Sequence, residues 1–78
     1  MIAYRSNFAV TIVPPSRALL ARIEAHLERR GGLAPSRFGR MVAGDPRLVF
    51  DLRAGRELRF ATAERVRSYL ALWEREAA

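Results

Sequence analysis

The sequence predicts a small all-α domain of four helices behind a short extended or strand-like N-terminal segment. Three observations predict it. Apolar residues recur at intervals of three and four through most of the chain. Proline or a small polar residue stands where each such run begins, and glycine follows three of the four runs. Finally, 78 residues leave room for one domain, and half of them are hydrophobic, as in an ordinary folded domain.

The first element is "NFAVTIVPP", within residues 1–15. Phe8, Val10 and Ile12 alternate with Ala9, Thr11 and Val13, which suits a strand or an extended arm. A strand needs a partner, which the same segment of a second chain can supply. The other reading is a flexible leader.

Residues 16–78 are read as the helical domain. Ser16 suits an N-cap, and Leu19, Leu20, Ile23 and Leu27 follow at helical spacing, so the first helix spans about 17–30. Arg29 and Arg30 complement its C-terminal dipole, and Gly31-Gly32 supply a left-handed stop. Pro35 suits the first position of a second helix, about 35–43, with Phe38, Met41 and Val42 as its apolar stripe and Gly44 as its end. Asp45 as cap and Pro46 as first residue open a third, about 46–54, with Leu48, Val49 and Leu52 inward and Gly55 as the stop. Thr62 suits the cap of a fourth, about 62–76, whose buried stripe is Val66, Tyr69, Leu70 and Trp73.

Composition excludes several function classes. There is no cysteine, so disulfide frameworks, thiolate nucleophiles and the usual zinc clusters are out. The single histidine, His26, cannot form a multi-histidine metal site; it is expected to be a half-buried structural residue. All 14 basic side chains are arginine, so no phosphate loop carries its lysine. Glu24 and Glu28 are spaced like a solvated helix face, and no serine has a His/Asp set around it. We therefore expect no enzyme activity, no cofactor and no metal.

The net charge is +6, unevenly spread. Residues 1–31 hold five arginines against two acids, residues 33–59 six against three, and residues 60–78 three against three. Polyanions are the natural partners of the first two thirds, although a net charge also serves solubility. No apolar run approaches the roughly 20 residues of a membrane span, and Pro14-Pro15 ends the N-terminal patch without a small-residue cleavage site. The expectation is a cytoplasmic protein with no membrane partner.

The stretch "FGRMVAGDPRLVFDLRAGRELRFATAERVRSYL" carries a resemblance. Gly39 lies inside the second helix, flanked by Phe38 and followed by Val42; Ala43-Gly44 and Asp45 make a turn and a polar cap; Val49 and Leu52 are apolar and three apart; Gly55 and a basic loop follow. Over residues 33–70 this arrangement resembles the helix-turn-helix domains of the lambda-repressor-like family. Two features depart from the family. Pro35 and Ser36 stand where a glutamine is common, and the turn glycine is displaced by one residue. The resemblance implies a helix-turn-helix core, sequence-specific binding of double-stranded DNA and a bacterial or phage-type transcription regulator, commonly a homodimer.

A helix fits the major groove of B-DNA, with its N-terminal side chains near base edges. The outward positions of the third helix include Arg47, Phe50, Asp51 and Ala54, the expected base contacts. Arg47 suits guanine. Asp51 suits cytosine or orients Arg47, and the two also suit a plain surface ion pair. Phe50 is either a thymine-methyl contact or part of the core. Arg37 and Arg40 on the second helix, and Arg53, Arg56 and Arg59 at the end of the third helix and beyond, are expected at phosphates. So are the backbone N–H groups at the start of the second helix, around Ser36. Arg56 and Arg59 also suit plain solvated loop positions. Tyr69 and Trp73 share a helical face and are read as core or dimer contact. The alternatives to a regulator are a protein-interaction module contacting another regulator or RNA polymerase, and a non-specific DNA-architectural, packaging or recombination accessory protein.

Overall fold

The computed structural model describes residues 15–77, and among them it contains four helices and no strand. The expected arm or strand lies, but for Pro15, outside the described residues. The helices are α1 (Pro15–Arg29), α2 (Pro35–Ala43), α3 (Leu48–Arg53) and α4 (Phe60–Ala77).

α1 buries Leu19, Ile23 and Leu27 of the stripe its spacing predicts, and Leu20, the fourth, is only partly buried against them. Its start differs from expectation. The helix already runs at Pro15, so Ser16 lies inside the first turn and does not cap it. The buried Ser16 hydroxyl instead accepts the backbone N–H of Leu58 at 3.0 Å, 42 residues away. One side-chain oxygen thus anchors the loop before α4 to the start of α1. That loop then enters α4 two residues earlier than predicted. The Arg59 carbonyl accepts the Ala63 N–H at 2.9 Å, which leaves Thr62 within the first turn and not at the cap.

α2 has the predicted bounds, with Pro35 in its first turn. Its inward face runs through Phe38, Gly39, Val42 and Ala43, so Met41 falls on the other flank and is exposed, contrary to the expected stripe. Gly44 ends the helix at φ 67°, a left-handed conformation that a Cβ disfavours. Its N–H meets the Arg40 carbonyl at 3.0 Å, and the Asp45 N–H meets the Gly39 carbonyl at 3.1 Å.

α3 has six residues, two fewer at its start than predicted. Asp45 is not its N-cap, which is Arg47 with no side-chain capping bond; the Asp45 Oδ1 instead accepts the Arg47 N–H at 2.9 Å, and its carbonyl accepts the Leu48 N–H at 3.1 Å, closing a turn before the helix. Pro46 and Arg47 therefore form a turn that precedes the helix. A helix this short does not stand alone in water. Leu48, Val49 and Leu52 hold it, all buried as expected. Each such side chain contributes about 1.5–3 kcal/mol by leaving water.

α1 and α2 both pack against α3 and α4. Val66 and Leu70 of α4 complete the core. His26 is only 1% exposed, deeper than the half-burial expected of it. Its ring lies 5.3–5.7 Å from those of Phe38, Tyr69 and Trp73. Burial, with the charges of Arg30 and Arg29 next, lowers its pKa below the ordinary value, so it is neutral at pH 7. Tyr69 is half-buried, whereas Trp73 reaches the surface at 40% exposure and is not a core residue. No helix among the described residues is long and apolar enough to cross a membrane.

Candidate nucleic-acid interface

α3 is pinned on its inner side by three apolar side chains, so its outer side is fixed in direction. Arg47, at the junction of the turn and α3, has a side chain 80% exposed. Phe50 is 49% exposed and lies outside the core cluster, which places it on the outward side. Ala54 is exposed at the C-terminal end. The outward positions expected of this helix are thus reached by solvent, except that Asp51 is largely covered, its side chain only 18% exposed.

Asp51 lies between two arginines. Its Oδ2 accepts from Arg56 Nη1 at 2.6 Å, and its Oδ1 lies 3.9 Å from Arg47 Nη2. The backbone adds a tie, because the Arg56 N–H meets the Asp51 carbonyl at 3.0 Å. Asp51 therefore holds the loop after α3 closely and restrains Arg47 loosely. A carboxylate engaged this way neutralises part of the positive charge near it, and leaves Arg47 mobile enough to meet a ligand.

Arg53 is bound elsewhere. Its Nε and Nη2 fork onto the two Glu24 oxygens at 2.8 and 2.9 Å, joining the end of α3 to α1. That fork lowers the Glu24 pKa and raises that of Arg53. The same guanidinium carbon lies 5.8 Å from the Phe50 ring centroid. Of the arginines expected at phosphates, Arg53 and Arg56 thus have intramolecular carboxylate partners, whereas Arg37, Arg40 and Arg59 are exposed with no ion pair among the described residues.

The start of α2 supplies donors of another kind. Ala34 at the cap position makes no side-chain capping bond, and Pro35 has no N–H to satisfy. The Ser36 and Arg37 N–H groups belong to the first turn, where helices lack internal acceptors. Ser36 is half-buried there, and Arg37 is exposed. Between the α2–α3 turn and the start of α4 lies a shallow hollow of about 230 Å³, lined by Asp45, Asp51, Arg56, Arg59 and Thr62 among others. It brings Asp51, Arg56 and Arg59 together. Arg37 and Arg40 lie outside its lining, on α2.

Sequence spacing missed two features of this surface. Glu24 reads as a solvated helix acid, yet it occupies Arg53 from 29 residues away. Phe60 reads as part of a connector, yet it stands 77% exposed beside Arg59 as the first residue of α4. A β-propensity residue directly before "ATAERV" gave no helical signal, whereas the following run did.

Among the described residues no group of three or more His, Cys, Asp or Glu side chains is placed to hold a metal ion. Compared with protein-family models, curated proteins and solved structures, the chain matches none.

Proposed function

We propose that the chain binds double-stranded DNA sequence-specifically, as a bacterial or phage-type transcription regulator of the lambda-repressor-like kind. In this reading α2, residues 44–47 and α3 form the helix-turn-helix core, and α3 enters the major groove. Arg47 reads a base, with Phe50 and Ala54 as apolar neighbours. The Ser36 and Arg37 N–H groups, with the Arg37, Arg40 and Arg59 side chains, hold phosphates on either side. Arg56 contributes while keeping Asp51 as its counter-charge. Arg53 is withdrawn from the contact set, because its Nε and Nη2 already fork onto Glu24 and that carboxylate offsets its charge. A dimer would set two α3 helices about 34 Å apart, one helical turn of DNA.

The observation that carries the reading is the turn itself. The Asp45 carbonyl of the turn sits so close to α2 that a Cβ at position 39 would run into it, while Arg47 projects into solvent from the same turn. The experiment is selection from a random pool of labelled duplexes at two salt concentrations, followed by sequencing. Enrichment of one motif at physiological salt supports a specific regulator. Salt-sensitive binding without enrichment points to an architectural or packaging role. Absence of binding at both salts overturns the DNA reading in favour of a module that contacts another regulator or RNA polymerase.

A further inference from the structure

His26 is 1% exposed, yet its Nε2 has no hydrogen-bond partner among the described residues. Buried polar atoms are nearly always paired, so an orphan of this kind is a point where a ligand gains a hydrogen bond that the fold does not use. The same side chain lines a shallow hollow of about 260 Å³, together with Arg29, Arg30, Trp73 and Glu76. The hollow lies between the C-terminal turns of α1 and α4.

We propose that this hollow binds a small aromatic monocarboxylate, its carboxylate held by Arg29, Arg30 and His26 Nε2 and its ring lying against Trp73. Two arginines against Glu76 leave the lining with one positive charge, which one negative charge on the ligand balances. With the proton of the neutral imidazole on Nε2, His26 donates to the carboxylate. Arg30 is already oriented: its guanidinium carbon lies 4.3 Å from the Trp73 ring centroid, and its Nη1 donates to the Tyr69 hydroxyl at 3.3 Å. That bond leaves most of its N–H groups for the ligand. Arg29 is exposed and has no ion pair among the described residues. The last carbonyls of α1 offer the anion little opposition, because those of His26, Leu27 and Glu28 already accept the N–H groups of Arg30, Gly32 and Gly31.

Size and shape narrow the ligand further. Sites for drug-sized molecules run to about 300–1,000 Å³, so this hollow suits something smaller. A second hollow of about 240 Å³, lined by Leu72, Trp73 and Glu76, shares two of its residues and takes the apolar end of the ligand. Inorganic phosphate has no apolar body to set against Leu72 and Trp73, and its second charge meets Glu76.

The site does not depend on DNA binding, and its test uses the full chain without DNA. The probe is benzoate, titrated from about 0.1 to 20 mM, a range around millimolar dissociation constants, at constant ionic strength and neutral pH. One histidine and one tryptophan per chain give each residue a single set of NMR signals. The His26 imidazole and Trp73 indole signals are expected to shift in parallel and to saturate. The charges of Arg30, Arg29 and Glu74 already act on His26, and Glu76 lines the same hollow. A carboxylate at Nε2 adds a charge that favours the imidazolium, so saturating benzoate is expected to raise the His26 pKa. Arg29→Ala, at an exposed position, is expected to weaken benzoate about tenfold by removing a charge-assisted contact. Glu76→Gln, also exposed, is expected to tighten it. Benzamide, of the same shape without the charge, is expected to leave both signals unmoved. Shifts that do not saturate overturn the proposal, as does an equal response to benzamide or a stronger one to phosphate. A His26 pKa unchanged at saturation, or an Arg29→Ala affinity equal to that of the parent, overturns it too. The wild-type titration decides without any variant.

Discussion

Gly39 on α2 lies directly under the backbone carbonyl of Asp45, a residue of the turn into α3. A Cβ at position 39 would run into that oxygen and come within 3.1 Å of the Leu48 Cβ. The obstacle is backbone, already engaged on both sides of the turn by the Gly39–Asp45 and Asp45–Leu48 hydrogen bonds. Gly39→Ala would gain about 1 kcal/mol from helix propensity alone. We expect the clash to win, with a net loss of about 1–3 kcal/mol, read as a lower urea midpoint. An unchanged or raised midpoint would mean that the turn can move away from α2.

Much of this fold was legible because its breaks are local. Gly44 and Pro35 each meet a conformational need confined to their own position, so the bounds of α2 follow from the chain itself. The inward faces of α1 and α3 follow from spacing. What spacing could not carry is which groups meet across the fold. Ser16 has the chemistry of a cap, but its partner lies 42 residues on, and Arg53 has the chemistry of a phosphate contact, but Glu24 meets it from another helix. The outward character of Arg47 was legible, whereas Phe50 suited both contact and core, and its 49% exposure places it outward. The covering of Asp51 by Arg56 was not legible, because it depends on how the loop after α3 folds back.

Ser16→Ala should be costly for a position near a helix end. It leaves the Leu58 N–H without its acceptor in a partly buried site, and such an orphan costs about 1–3 kcal/mol. Ser68→Ala on the exposed side of α4 is the control, and is expected to stay within about 0.5 kcal/mol of the parent. Chemical denaturation of the two variants checks the contrast. Equal stabilities would show that the loop re-satisfies its N–H with water.

His26 sets a pH dependence whose sign is fixed by burial. Its folded pKa lies below the 6.5 of the unfolded chain. The unfolded chain therefore binds the proton first as pH falls, and stability is full above about pH 6.5 and declines below it. The decline cannot exceed about 1.4 kcal/mol per pH unit for one group. Glu24 and Glu74, whose pKa values are lowered by their arginine partners, act in a different window, losing their contribution only below 4.5. Denaturation midpoints between about pH 5 and 7.5 should thus slope in the parent and flatten in His26→Phe. A slope that survives the substitution would belong to another group.

Glu24→Gln is expected to strengthen DNA binding. The neutral amide no longer holds the Arg53 fork as a charge pair, so the guanidinium at the end of α3 becomes available to a phosphate. One added phosphate contact steepens the dependence of log K on log salt by about 0.9. Binding titrations of parent and variant over several salt concentrations measure that slope. An unchanged slope would mean that Arg53 points away from the DNA even when released.

Arg47→Ala and Arg59→Ala separate reading from holding. Both side chains are exposed, so neither substitution should disturb the core. Arg47 stands at the N-cap of α3, where the proposed reading puts a side chain at base edges, whereas Arg59 follows Gly55 in the loop that leads to α4. Loss of Arg47 should cost about 1–3 kcal/mol on the preferred site and relax the preference at one base pair. Loss of Arg59 should weaken every sequence alike and reduce the salt slope by about 1. Competition titrations with the selected site and a scrambled duplex distinguish the two, because only Arg47→Ala changes their ratio. If both variants leave that ratio intact, α3 does not read bases through Arg47, and the affinity of the surface is electrostatic alone.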